Sequence, residues 1–205
     1  MKLEELKREL AEVQLQKDWT ELLKRADILL SSTLSGTSEE AFLLYERGKA
    51  LMALERFAEA RKSLQRSVLT TPDQFHVHYL LGYCFAAERR WLDALWCQRR
   101  SSGLYSRFPD SWYEQGRAAH ELGEDLEAVS CLRRALDLRP GWLVAEQLLA
   151  SAIVRSSLPR DFNEAVASIS QSLSTALAPE WLTRQWCEFA GALFLAGKLD
   201  SARLL

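Results

Sequence analysis

The chain has little of what marks an enzyme, a membrane protein or a nucleic-acid binder. In 205 residues it carries five prolines, four cysteines, three histidines and a formal net charge of −2. No stretch approaches eighteen uninterrupted apolar residues, so nothing here spans a bilayer as a helix. The start, MKLEELKREL, alternates charge with Leu3, Leu6 and Leu10, an amphipathic helix without the apolar centre of a signal peptide. Near-zero net charge leaves no global field to draw in nucleic acid or a membrane surface. Cys84, Cys97, Cys131 and Cys187 form no CxxC pair and no metal-ligand spacing. If Cys97 and Cys131 sit on neighbouring packed helices, about 8–10 Å separates those axes, too far for a disulfide. Reduced thiols in a cytoplasmic setting are expected.

Catalytic chemistry is missing at the level of motifs. There is no GxSxG, no HExxH and no glycine-rich phosphate loop. His76 and His78 stand two apart and point to different sides of a helix, and His120 lies on another segment. All three read as surface or groove residues rather than metal ligands. Cys84 and Cys97 have no evident base to activate them as nucleophiles. The expectation is no enzyme, no metal and no cofactor.

What the sequence does have is a period. Gly48, Gly82 and Gly116 recur at one constant interval. Ala60, Ala94 and Ala128 keep the same interval, and so do Tyr45, Tyr79 and Tyr113. With 48% hydrophobic residues the chain can bury a core. Apolar positions recur at helical spacing: Leu44, Leu51 and Leu54 on one helix, then Phe57, Ala60, Leu64 and Val68 on the next. Pro72 and Pro140 close second helices, and Pro109 opens a first one. Helices cross closely only where a side chain is minimal, so the repeated glycine marks the crossing point. Charge steps along the array, with five arginines against two acids in 75–108 and four against seven in 109–142. Solvated helix faces account for that step.

In the third unit, Trp112, Gln115, Gly116, Ala128, Leu132, Ala135 and Pro140 spell W-x2-Q-G … A-x3-L-x2-A … P. This resembles the tetratricopeptide repeat, a helix–turn–helix family whose unit matches the interval seen here. The second unit lacks the closing proline, and the first has Arg47 and Ser67 where a leucine and an alanine are usual. The resemblance implies an all-α, right-handed superhelical solenoid of antiparallel helix pairs. A divergent N-terminal hairpin is expected over 1–36, and three repeats within 37–142, at 41–74, 75–108 and 109–142. A degenerate repeat with a short insertion follows over 143–182, and 183–205 begins another. Because Ala202, Leu204 and Leu205 offer no polar capping face, either the protein continues or this end pairs with a second copy.

The resemblance also implies function. In such proteins the first helix of each hairpin lines a concave groove. Here that face carries Tyr45 and Lys49, then Tyr79 and Tyr83, then Tyr113, Arg117 and His120, flanked by His76 and Gln147. Tyrosines give broad, rigid contact with a polar tip, suited to an extended peptide or a helix. The implied role is a protein-interaction scaffold without nucleic-acid or membrane partners. The alternative is a substrate-presenting front module of a larger enzyme, such as a glycosyl- or sulfotransferase. Chaperone-binding relatives grip a C-terminal carboxylate with cations and asparagines, but the matching positions here hold Tyr45, Lys49, Leu80, Asp110 and Glu114. Acids in place of cations repel a carboxylate, so a peptide ending in EEVD is expected not to bind. Calorimetric binding of that peptide, abolished by amidating its C-terminus, is the contrary result.

Overall fold

The computed structural model describes residues 3–156, all of whose regular structure is α-helix. The helices are α1 (Leu3–Leu15), α2 (Trp19–Ser32), α3 (Ser38–Ala53), α4 (Phe57–Thr70), α5 (Phe75–Ala87), α6 (Trp91–Leu104), α7 (Pro109–Glu121), α8 (Asp125–Leu138) and α9 (Leu143–Ser156). The repeats expected after Ser156, Cys187 and the open C-terminal end lie outside the described residues. Two compact units divide the chain, Met1–Ser106 and Arg107–Leu205.

Short connections between helices make sequential neighbours antiparallel. In the first unit α1 through α6 pack in chain order, and α3 also touches α5. In the second, α7, α8 and α9 do the same, with α7 touching α9. First helices therefore form one layer and second helices the other within each unit. Leu6, Leu10 and Val13 of α1 join Leu22, Leu43 and Ala50 in a buried cluster, so α1 covers α2 and α3 as a first helix of its own hairpin.

Helix starts follow local chemistry. Asp18 caps α2 by accepting from the Glu21 amide at 3.0 Å. Thr37 caps α3 by accepting from the Glu40 amide at 3.2 Å, while the Glu40 carboxylate accepts from the Gly36 amide at 2.7 Å. These reciprocal bonds begin α3 at Ser38, a turn ahead of the apolar pattern that starts at Ala41.

The turn inside each hairpin repeats too. Glu55, Arg89 and Gly123 take left-handed φ values of 60°, 59° and 82°, and Lys17 takes 54°. Around Glu55 the amides of Glu55 and Arg56 donate to Met52 and Leu51 carbonyls at 3.0 and 2.8 Å. The same pairs recur from Arg89 to Ala86 and Arg90 to Phe85, and from Gly123 to His120 and Glu124 to Ala119. This is the Schellman closure, which satisfies the last carbonyls of the first helix.

The periodic glycines sit at the tightest approach. A Cβ on Gly48 would lie 2.7 Å from Leu64 Cγ, and one on Gly116 would lie 2.7 Å from Leu132 Cγ. On Gly82 it would lie 2.5 Å from Gln98 Nε2, because glutamine replaces the leucine in that hairpin. Gln98 stays buried by donating to the Tyr79 carbonyl at 3.0 Å. The two family departures have partners as well. Ser67 donates its hydroxyl to the Ala41 carbonyl at 2.8 Å, and Arg47 reaches Asp27 and Ser63, both at 2.6 Å.

Ala at position 116 gains about 0.5–1 kcal/mol of helix propensity but collides with fully buried Leu132. Gly116→Ala is expected to destabilise the protein by about 1–3 kcal/mol. Gly103, in α6 with open space around its Cβ direction, is the control: Gly103→Ala should stabilise by roughly 0.5–1 kcal/mol. Urea unfolding reads both signs.

Candidate binding face on the first helices

In the first unit, Tyr45 and Lys49 on α3 lie on a helix that touches the one bearing His76, Tyr79 and Tyr83. Tyr45 is half-buried, and burial followed by the neighbouring Glu46 charge pushes its phenol up to about 12. The Lys49 ammonium lies 5.2 Å from the Tyr45 ring centroid, a cation–π distance. It also lies 3.0 Å from Glu46, whose side chain is only 5% exposed. Burial raises the Glu46 pKa against the pull of Lys49, and the Gln14 amide also donates to this carboxylate. Lys49 is thus a cation already answered by a buried acid. His76 is exposed, its pKa lowered by burial and then by the Lys49 charge. Tyr79 is half-buried, and Tyr83 is 37% exposed with its ring 6.3 Å from Phe57.

The second unit repeats the charge device. Glu114, two periods after Glu46 in the sequence, is buried and raised in pKa by that burial, and Arg117 donates to it at 2.9 Å. Tyr113 packs on Trp142 at 4.7 Å between centroids. Arg139 covers the other partner, 4.2 Å from the Trp142 ring, and forks onto Asp110 at 3.1 and 2.7 Å. Gln147 on α9 buries both amide atoms.

His120 behaves differently from its neighbours on the strip. It is buried, with Nδ1 2.7 Å from Asp125 Oδ1 and Nε2 3.2 Å from the Ser151 hydroxyl. Arg155 places Nη1 3.3 Å from the same Nε2, donates to the His120 carbonyl at 2.6 Å and reaches Asp125 at 2.9 Å. The connectivity is Ser–His–Asp, yet the guanidinium occupies the lone pair a general base needs. Ser151 also stands inside α9, where the helix spends the amides that could form an oxyanion hole. The cluster is a clasp from α9 onto the turn between α7 and α8. His78 likewise turns inward, its Nε2 2.7 Å from the Pro72 carbonyl. Reading all histidines as surface or groove residues therefore fits only His76.

Spacing places the tyrosines and cations on these helices but does not reveal that Glu46, Glu114 and Trp142 pack against them. A signal was available for the acids: the same residue type two periods apart, each followed one helical turn later by a cation. Cys84, Cys97 and Cys131 are buried and unbridged, and burial pushes the first two thiols up to about 12. Among the described residues no group of three or more His, Cys, Asp or Glu side chains could hold a metal. No described helix is long and apolar enough to cross a membrane.

Residues 45–106 and 109–141 match family models described as tetratricopeptide repeat. Residues 45–141 are thus built of tetratricopeptide repeats, and the fold of the described residues is an all-α helical-repeat solenoid. No curated protein sequence matches it. Among solved structures, MamA (41-end) from Desulfovibrio magneticus RS-1 is 18% identical, with a TM-score of 0.70 over 90% of this chain and 97% of that one. YrrB, described as a TPR protein with an unusual peptide-binding site, is 12% identical, with a TM-score of 0.67 over 79% and 80%. The first TPR of Spaghetti (RPAP3), bound to the HSP90 peptide SRMEEVD, is 18% identical, with a TM-score of 0.55 over 57% of this chain and 92% of that one. At such identities the likeness is one of fold.

The His120 clasp has a pH signature. Burial, ahead of the Arg155 charge, lowers its pKa from 6.5 against the opposing bonds and charges of Asp125 and Glu121. A depressed histidine gives stability that is full above the unfolded value and is lost as pH falls below it. Native protein should therefore lose stability below pH 6.5, with His120 contributing at most about 1.4 kcal/mol per pH unit. Glu46 and Glu114, raised in pKa, act with the opposite sign. Urea midpoints between pH 7.5 and 5.5 should fall less steeply in His120→Gln than in the native chain.

Proposed function

We propose that this protein is an interaction scaffold that holds a peptide or protein segment on the exposed faces of its first helices. The observation that carries the reading is the aromatic strip of the first unit, where Tyr45 and Tyr79 are half-buried and Tyr83 stands open beside them. Half-buried tyrosines are already ordered, so a partner meets flat apolar area at small entropic cost. Neighbours of the same fold point the same way, since YrrB and the RPAP3 repeat are described with peptide sites or peptides.

Charge narrows the class of partner. Lys49 and Arg117 are each neutralised by a buried glutamate, and Asp110 is engaged by Arg139. A ligand that depends on a lone carboxylate finds no surplus cation among these residues, whereas an uncharged, aromatic-tolerant segment does not need one. Three buried, unbridged thiols suit a reducing compartment, and we place the protein in the cytoplasm.

Affinity capture from lysate, with quantitative mass spectrometry, tests the reading. Tyr83→Ala combined with Tyr79→Ala should keep its helical circular dichroism and lose about 1–2 kcal/mol of partner affinity, roughly a five- to thirty-fold drop in retention. Equal retention by both proteins removes the first-helix face as the site. A collapsed melting transition shows instead that the tyrosines hold the fold.

A further inference from the structure

The pairing of the first two hairpins contains a cavity absent from the groove reading. It is an open cleft of about 400 Å³ between the second helices α2 and α4, above α3. Its wall is built from Asp27, Leu30, Ser31, Leu44, Arg47, Lys62, Ser63 and Arg66. Two of these residues differ from their equivalents in the next repeat. Arg47 and Ser63 stand one period before Leu81 and Cys97, which are both buried. One hairpin junction therefore exchanges an apolar pair for a guanidinium and a hydroxyl, and space opens beside them.

A charged group costs stability in such a place unless something answers it. Asp27 accepts from Arg47 Nε at 2.6 Å, and Ser63 accepts from Nη1 at 2.6 Å. These two bonds hold the guanidinium in one orientation at the cavity wall. Arg66, one helical turn after Lys62 on α4, is held by Glu40 at 2.5 Å while 62% of its side chain stays exposed. Lys62 is exposed and forms no salt bridge or hydrogen bond among the described residues. Among the lining residues three cations face one carboxylate, and Glu40 answers Arg66 from outside the lining. The wall keeps a positive excess. Leu30 and Leu44 supply the apolar part of the lining.

We propose that this cavity binds a phosphate monoester with an aryl or alkyl body, the phosphoryl group on Arg47, Lys62 and Arg66 and the body on Leu30 and Leu44. A phosphate monoester carries about −1.5 to −2 charges and three acceptor oxygens, so one group can answer the excess and reach several donors at once. A monocarboxylate brings less charge and fewer oxygens to the same donors. Arg47 is pre-ordered by Asp27 and Ser63, so it loses little freedom when the anion arrives. The site stands apart from the tyrosine strip and does not depend on it.

Isothermal titration with phenyl phosphate tests the site, with inorganic phosphate and a capped phosphotyrosine as the other arms. Phenyl phosphate should bind saturably and at least tenfold more tightly than inorganic phosphate. Lys62→Ala, which breaks no hydrogen bond or salt bridge among the described residues, should weaken it about fivefold. Arg47→Leu restores the residue type of the next repeat, and should abolish binding while the urea midpoint holds or rises. Tighter binding of the capped phosphotyrosine assigns the site to a phosphorylated chain, and weaker binding to a free ester; either supports it. Absence of saturable binding, equal affinity for inorganic phosphate, or an unaltered constant in Lys62→Ala overturns the proposal.

Discussion

Everything regular in this protein depends on how closely the two helices of a hairpin approach one another. At Gly48 and Gly116 the facing residue is a leucine whose branch point would nearly touch any added carbon. The contact sets the separation of the helices, and the separation sets which other positions bury. Ala60, Ala94 and Ala128 follow as the small residues on the opposite helix, all at 1% exposure or less. The hairpin at Gly82 shows how firmly the spacing is held. It accepts a buried glutamine opposite glycine and satisfies the amide nitrogen on a helix carbonyl, leaving Gln98 Oε1 without a partner. An unpaired acceptor of this kind costs about 1–3 kcal/mol, yet the helix separation survives it.

That dependence explains why the fold could be read from the chain. A glycine inside a helix is disfavoured, so three in register point to a steric demand, and the family signature at Trp112–Pro140 names the architecture that makes it. The turns were less legible. Gly123 has the residue type expected of a left-handed position, but Glu55 and Arg89 adopt the same conformation without it. Backbone hydrogen bonds impose that geometry, and side-chain identity carries little trace of them. The candidate face was legible only as far as spacing goes. Helical phase says that Lys49, Arg117 and His120 share a face. It cannot say that Glu46 and Glu114 will neutralise the first two, or that Asp125, Ser151 and Arg155 will draw the third inward.

Electrostatics separates two kinds of surface in the first unit. On the tyrosine face of α3 the cation Lys49 sits against the buried acid Glu46, so its charge is answered there and the neighbouring contacts are aromatic. Between the second helices Arg47 and Arg66 are also paired, with Asp27 and Glu40, but Lys62 is left over and gives the lining a net positive charge beside Leu30 and Leu44. The difference traces to single positions within one repeat. Glutamate at 46 turns a cation into part of the scaffold, whereas arginine at 47, the adjacent residue, turns to the other side of the same helix and charges the cavity there. One helix thus presents two chemistries on two sides.

The hairpin turns have a consequence for how such a chain can be altered. Their closure is made by main-chain amides and carbonyls, while Glu55 and Arg89 extend exposed side chains from the bend. Evolution can therefore rewrite those tips without renegotiating the packing, and an experimenter can do the same. In a chain whose Cys187 is replaced, a cysteine-reactive dye at residue 55 or 89 would report from an outward-facing corner, since the thiols at 84, 97 and 131 are buried.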